Sequence, residues 1–315
     1  MLDLFAENAY LVVRNLQIIE TMIGKKPAEH QMSIFEVALE SFIDMNHELV
    51  LLSKQIEWGE VESEFAEYYC ADNGRPSVPI RTMVGMMLLK SIYNLSDEGV
   101  VARWLENPYM QYFTGEKVFQ KRPPMNPIDM TKFRKRIGEK GTEKIFKISL
   151  MVNASEITEK EMKQVMIDST VQEKNITFPG SGLIVSALAF QGNPYDGHTL
   201  SAHREQIARL TGYEPVEALT EKARKKFCKR AGIEPVIGHL KSDHRMIRNY
   251  LTGTLGDAIN TMMAAAAYNM RHWMNKHALS SFVSWLLTLV RRQENVLFEN
   301  EKQCACLCPT LATVA

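Results

Sequence analysis

The stretch from Phe227 to Arg245, FCKRAGIEPVIGHLKSDHR, constrains this chain more than any other. Glu234 follows Arg230 by four residues and precedes Lys241 and Arg245 by seven and eleven. At 3.6 residues per turn, those offsets all return to about one helical face. The cations outnumber the acid, so a salt-bridge ladder is a poor account of the stripe. A carboxylate that holds a metal beside a polyanion, with Lys and Arg on its phosphates, is a better one. The spacing predicts a long basic helix over 222–247, with Pro235 in its first turns or at a kink.

Charge elsewhere is sorted in the same sense. The 315 residues carry 37 basic and 37 acidic side chains, a net charge of zero. Residues 115–147 nevertheless hold ten Lys/Arg against four Asp/Glu, and 221–248 hold nine against three. The compensating acids gather in residues 36–67, with nine Asp/Glu and one Lys. Such sorting suits a protein with one DNA-facing side, although solvated helical faces would produce similar blocks. The length allows two ordinary domains. Cys304, Cys306 and Cys308 lack the spacing of a disulfide framework or a zinc knuckle. No leader is evident, and the apolar run Phe282–Val290 is too short for a bilayer, so the expectation is a cytoplasmic protein without membrane contact.

Apolar residues at helical spacing (Ile34, Val37, Ala38, Phe42, Met45, Leu49, Leu52) predict a core-facing helix over 33–56. Pro79 opens a second helix through Met83, Met87, Leu88 and Ile92. Ser96 with Asp97 and Glu98 marks the start of a third, which Asn107-Pro108 stops. The pair joined at Asn94-Leu95 fits a helix-turn-helix or a plain bundle. A basic helix after Pro127 offers Lys132, Arg134, Lys135 and Arg136 to phosphates. Strands are expected at Gln164–Ile167, ending in Asp168-Ser169-Thr170, and at Leu183–Phe190, closed by Gly192-Asn193-Pro194. Helices follow at Thr199–Leu210, ending at Gly212, and at Asp257–Lys276. His239 and His244, five apart, read as solvated or phosphate-contacting, not as joint metal ligands.

Arg-x3-Glu-x6-Lys, with Phe227 three residues before Arg230, resembles the signature around the last acid of DDE transposases from bacterial insertion sequences. Residues 74–116, VMIDSTVQEKNITFP (165–179), FQGNPYDGHTL (190–200) and 253–274 carry the same resemblance, in the family's order. It implies a mostly α chain with a small α/β part. A helical DNA-end-binding module (1–150) would precede an internally shortened RNase H-like domain (160–278) and a divergent tail (279–315). It also implies Mg²⁺ or Mn²⁺ held by catalytic Asp168 and Glu234, with Arg230, Lys241 and Arg245 joining the basic helix on DNA. The partners implied are element ends and target DNA, together with a second copy or an intact transposase.

The family's second acid follows a strand after the segment matching LSAHREQIARLTGYEP (200–215). Here that segment runs directly into VEALTEKARKKFCKRAGIEP (216–235), with no strand expected between them. A second junction lies at Gly180. Asp196 and Asp243 do not match the missing acid. Two carboxylates supply two negative charges where two divalent cations bring four positive ones. The expectation is a transposase by descent that is impaired in catalysis. The alternative is a non-catalytic DNA-binding or transposase-pairing remnant.

Overall fold

Side-chain caps set four of the six α-helix starts in the first half of the chain. The computed structural model describes residues 37–69, 77–157, 164–170, 174–178, 183–190, 196–215, 217–219, 230–246 and 248–278. His47 accepts from the Leu49 amide at the start of α1 (Glu48–Gln55), and α2 follows at Trp58–Phe65. Next come α3 (Ile80–Ile92) and α4 (Asp97–Glu106), the latter capped by Ser96 Oγ on the Gly99 amide. Asn107 closes α4 and also opens α5 (Pro108–Phe113), where its side chain accepts from the Tyr109 and Met110 amides. A capping box of Asn126 and Asp129 starts α6, Pro127–Val152.

The helix expected over 33–56 begins only at Glu48 among the described residues. Upstream, Ala38 bridges to Val118 and the Leu39 amide donates to Lys117 O, so this segment takes its hydrogen bonds from a distant strand-like partner. Leu39, Ile43 and Val50 form a buried cluster with Met45, Tyr109 and Tyr112. Val37 and Phe42, assigned to the core by periodicity, are 58% and 52% exposed.

Eleven of the thirteen residues of α3 are buried, which makes it the central helix of the bundle. Around it Phe65, Trp104, Phe113, Phe133 and Phe146 are fully enclosed. The polar atoms drawn in with them are paired. Trp104 Nε1 donates to Thr114 Oγ1 at 2.8 Å, and Gln111 bonds the Gln120 backbone in both directions.

Four strands form one sheet in the order β3-β2-β1-β4. They are β1 (Gln164–Thr170), β2 (Lys174–Phe178), β3 (Ser186–Ala189) and β4 (Glu217–Leu219). The first three are antiparallel neighbours, and β4 lies parallel to β1 with Gln164 opposite Glu217. Asp168 is therefore inside β1, opposite Ile176, and not beyond its end. The sequence gives no hint of β2, and β4 corrects the expectation that no strand separates Pro215 from the basic helix. The turn at 192–194 and the tail from 279 lie outside the described residues.

The link from β3 to β4 runs through α7, Asp196–Thr211, which ends as expected at Gly212. That glycine has φ +75° and donates its amide to Ala208 O. Helix α8 covers Arg230–Asp243 and contains Pro235; α9 covers 253–278. Ala264 to Ala267 of α9 are buried, as their small size suggests. The chain divides into two compact units, Met1–His272 and Trp273–Ala315.

Candidate nucleic-acid interface

Helix α6 is broken at Gly138, whose φ of 59° and ψ of −156° are non-helical. The halves on either side carry different charge environments. After the break, Lys144 pairs with Glu67 at 2.7 Å and Lys147 approaches Glu64 at 3.4 Å, so α2 and its flank neutralise that half. Before it, Lys132 and Lys135 are exposed, and among the described residues Lys132 pairs with Asp129, at 3.3 Å within its own first turns. Arg136 lies over the Tyr69 ring at 4.9 Å.

Arg134 differs from these three. It is 5% exposed, and its guanidinium grips Asp97 with Nη1 to Oδ1 at 3.0 Å and Nη2 to Oδ2 at 2.6 Å. Lys90 Nζ reaches the same carboxylate at 2.6 Å. The expectation that Arg134 faces phosphate does not fit this geometry: it ties α6 to the start of α4. Burial works against the Asp97 carboxylate, but Arg134 and Lys90 outweigh it and hold its pKa below the usual value. Burial lowers that of Lys90, opposed by Asp97 and reinforced by Arg134 and Arg245.

Helix α3 is too enclosed to enter a groove, and the outward side of α4 shows Glu98 and Glu106 beside a single Arg103. Of the helix pair joined at Asn94-Leu95, neither presents a basic reading surface. Asn94 instead serves as a dock. With φ 54°, it donates through Nδ2 to Ser242 O at 2.8 Å. His244, 4% exposed, bonds Ser91 O through Nδ1 at 3.1 Å, and burial lowers its pKa. The solvated role expected of His244 is thus replaced by a structural one. His239 is exposed and pairs with Asp243 at 2.7 Å.

Helix α8 stops before the basic stripe is complete. Arg230, Glu234 and Lys241 share the helix, four and seven residues apart, and so share about one face. Arg245 lies beyond it with φ 60°, so the helical spacing from Glu234 does not carry it onto that face. It instead sits over Tyr250 at 4.8 Å, and its Nη1 donates to Asn94 O at 3.4 Å. Arg248 approaches the same ring at 5.3 Å. Asp168 and Glu234 stand on β1 and α8. Among the described residues no three His, Cys, Asp or Glu side chains converge to hold a metal.

Residues 37–136 match a family described as a transposase domain, DUF772. A protein of Rhizobium meliloti, "Uncharacterized protein ORF8 in nfe locus", is 37% identical over 200 residues, 62% of this chain and 96% of that protein. The chain belongs to a transposase family. No solved structure matches it. The transposase domain comprises α1 to α5 and the first half of α6, and its match ends two residues before the break at Gly138. It therefore includes the exposed Lys132 and Lys135 and the half-buried Arg136, and excludes the half of α6 that α2 neutralises. Among the described residues no helix is long and apolar enough to cross a membrane.

Proposed function

We propose that this transposase-family chain binds the ends of a mobile element, that it descends from a cut-and-join enzyme of the DDE type, and that its catalysis is impaired. The charge difference between the two halves of α6 carries the binding part. A basic segment left uncancelled beside one that acids have neutralised gives DNA one place to approach. Lys132, Lys135 and Arg136 would hold phosphates there, with Lys241, Arg245 and Arg230 of the second basic block. A mixed sheet with Asp168 on an inner strand and Glu234 on a later helix supports an RNase H-like frame. The impairment rests on the acid count: Asp168 and Glu234 alone leave a Mg²⁺ or Mn²⁺ pair short of negative charge.

The test is nicking of supercoiled DNA bearing candidate element ends, with Mg²⁺ or Mn²⁺, beside Glu234→Gln. The expected outcome is salt-dependent, end-specific binding with no nicking above that of Glu234→Gln. End-specific nicking that Glu234→Gln abolishes would overturn the impairment. A second reading, an active enzyme, is favoured by β4, because a strand parallel to β1 leaves the sheet less reduced than the sequence suggests. Glu221 is the first acid after β4 in the sequence, so Glu221→Gln belongs in the same assay. Loss of nicking in both variants would establish that reading. Pairing with a second copy or an intact transposase would show as inhibition of the intact enzyme when the two are mixed.

A further inference from the structure

A cavity of about 50 Å³ lies where α3, α6, α9 and the segment 244–251 meet. Lys90, Arg134, His244, Arg245 and Asn260 contribute to its wall, and no carboxylate does. Asp97, behind the wall, is among the described residues the one acid bonded to Lys90 and Arg134, so with Arg245 three cations face a single anion. Asn260 Nδ2 is buried and has no hydrogen-bond partner among the described residues. The Asn249 amide, by contrast, is taken by Asp257 at 2.6 Å. A cavity needs only about 10–15 Å³ to hold one water, so there is room for a small polyatomic ion. Excess positive charge, a donor without an acceptor and space together describe a place made for negative oxygen.

We propose that this cavity is a phosphate-type oxyanion site. Arg245 and the Asn260 amide donate to the oxygens, while Lys90 and Arg134 supply charge from deeper in the wall. The oxyanion can be free phosphate or a phosphodiester of DNA, and the surroundings favour the latter. Residues 244–256 contain Arg245 and Arg248 and no acid, and Tyr250, approached by both arginines, is 64% exposed. Only this choice of source rests on the DNA-binding reading.

Two measurements on the full-length chain decide the matter. The first is thermal unfolding in inorganic phosphate against chloride at equal ionic strength. The second is duplex binding as a function of salt. Phosphate is expected to raise the midpoint of the parent chain but not of Arg245→Gln or Asn260→Ala. Arg245→Gln is expected to weaken duplex binding roughly fivefold and to lower the log–log salt slope by about one. Loss of the phosphate response with an unchanged salt slope would assign the site to the free anion. An unchanged phosphate response in both variants, or none in the parent together with an unchanged salt slope, would overturn the proposal. If Lys135→Gln weakens DNA binding while both cavity variants behave as the parent, the cavity fails and the DNA-binding reading stands. If the parent binds no DNA but loses its phosphate response in both variants, the reverse holds.

Discussion

His203 is fully buried on α7 and faces Ser186 of β3, with Nδ1 2.7 Å from the serine oxygen. Ser186 Oγ donates to Gln206 Oε1, which also accepts from the Ala187 amide. The serine has thereby used its only proton, so the histidine must donate from Nδ1. Burial holds the imidazole neutral and lowers its pKa from 6.5 to about 4. Above pH 6.5 neither folded nor unfolded chain protonates this ring, and it has no influence on the pH dependence. Between 6.5 and about 4 the unfolded chain binds a proton that the folded chain refuses. Stability therefore falls as pH falls through that window, by up to about 3 kcal/mol. Denaturant midpoints measured from pH 7 to 4 should drop steeply for the parent and less for His203→Gln; equal slopes would show that the ring is free to titrate. Sequence alone drew attention to His239 and His244 and passed over His203, because its partner lies 17 residues away on a separate strand.

Among the elements, those legible beforehand were the ones with local punctuation. Ser96 before two acids, Asn107-Pro108 and Pro127 all sit where side chain and backbone meet within four residues, and each marks a helix end. The start of α1 was not legible, because Ala38 and Leu39 take their backbone partners from residues 117–118. Strand β4, three residues long, has no pattern of its own and exists by pairing with β1. The break in α6 also escaped, since a lone glycine in a helical pattern is commonly tolerated. Gly138 adopts φ and ψ that are essentially confined to glycine, yet a Cβ there would meet no atom within 4 Å. Gly138→Ala therefore tests backbone strain without a clash. It should destabilise by about 1–3 kcal/mol in equilibrium denaturation. A neutral result would mean that α6 can run straight through.

For the molecule as a whole, Asn269 of α9 is a polar residue that links distant parts of the chain. It is fully buried, accepts from the Ile184 amide at 2.9 Å and donates to Ile184 O at 2.8 Å. Its own carbonyl accepts from Asn153 at the end of α6, and its Nδ2 also lies 3.3 Å from Ser149 Oγ. The entry to β3, the end of α6 and α9 thus meet at one residue. Asn269→Ala leaves both backbone groups of Ile184 buried without these partners and should cost about 2–3 kcal/mol. Hydrogen exchange should show faster exchange of the Ile184 amide; retained protection would show that another group replaces the asparagine. The sequence marked the helix over Asp257–Lys276 as core but gave no sign of this role, which depends on two segments about 85 and 116 residues away. The candidate site was legible in part for the same reason. The acids and cations of α8 were visible at helical spacing, whereas the cavity near Arg245 draws its wall from four separate stretches.

Asn269 also acts as a noncovalent clasp. By holding Asn153 and Ile184 to one point, it closes the intervening chain, with β1 and β2 inside it, into a ring. The entropy of closing such a ring grows only logarithmically with length, so doubling the excursion would cost about 0.6 kcal/mol. The helical framework on either side can therefore host a longer or a shorter version of that segment at nearly the same stability. In such a scaffold the segment carrying β1 and β2 can be lengthened or shortened while the surrounding helices stay folded.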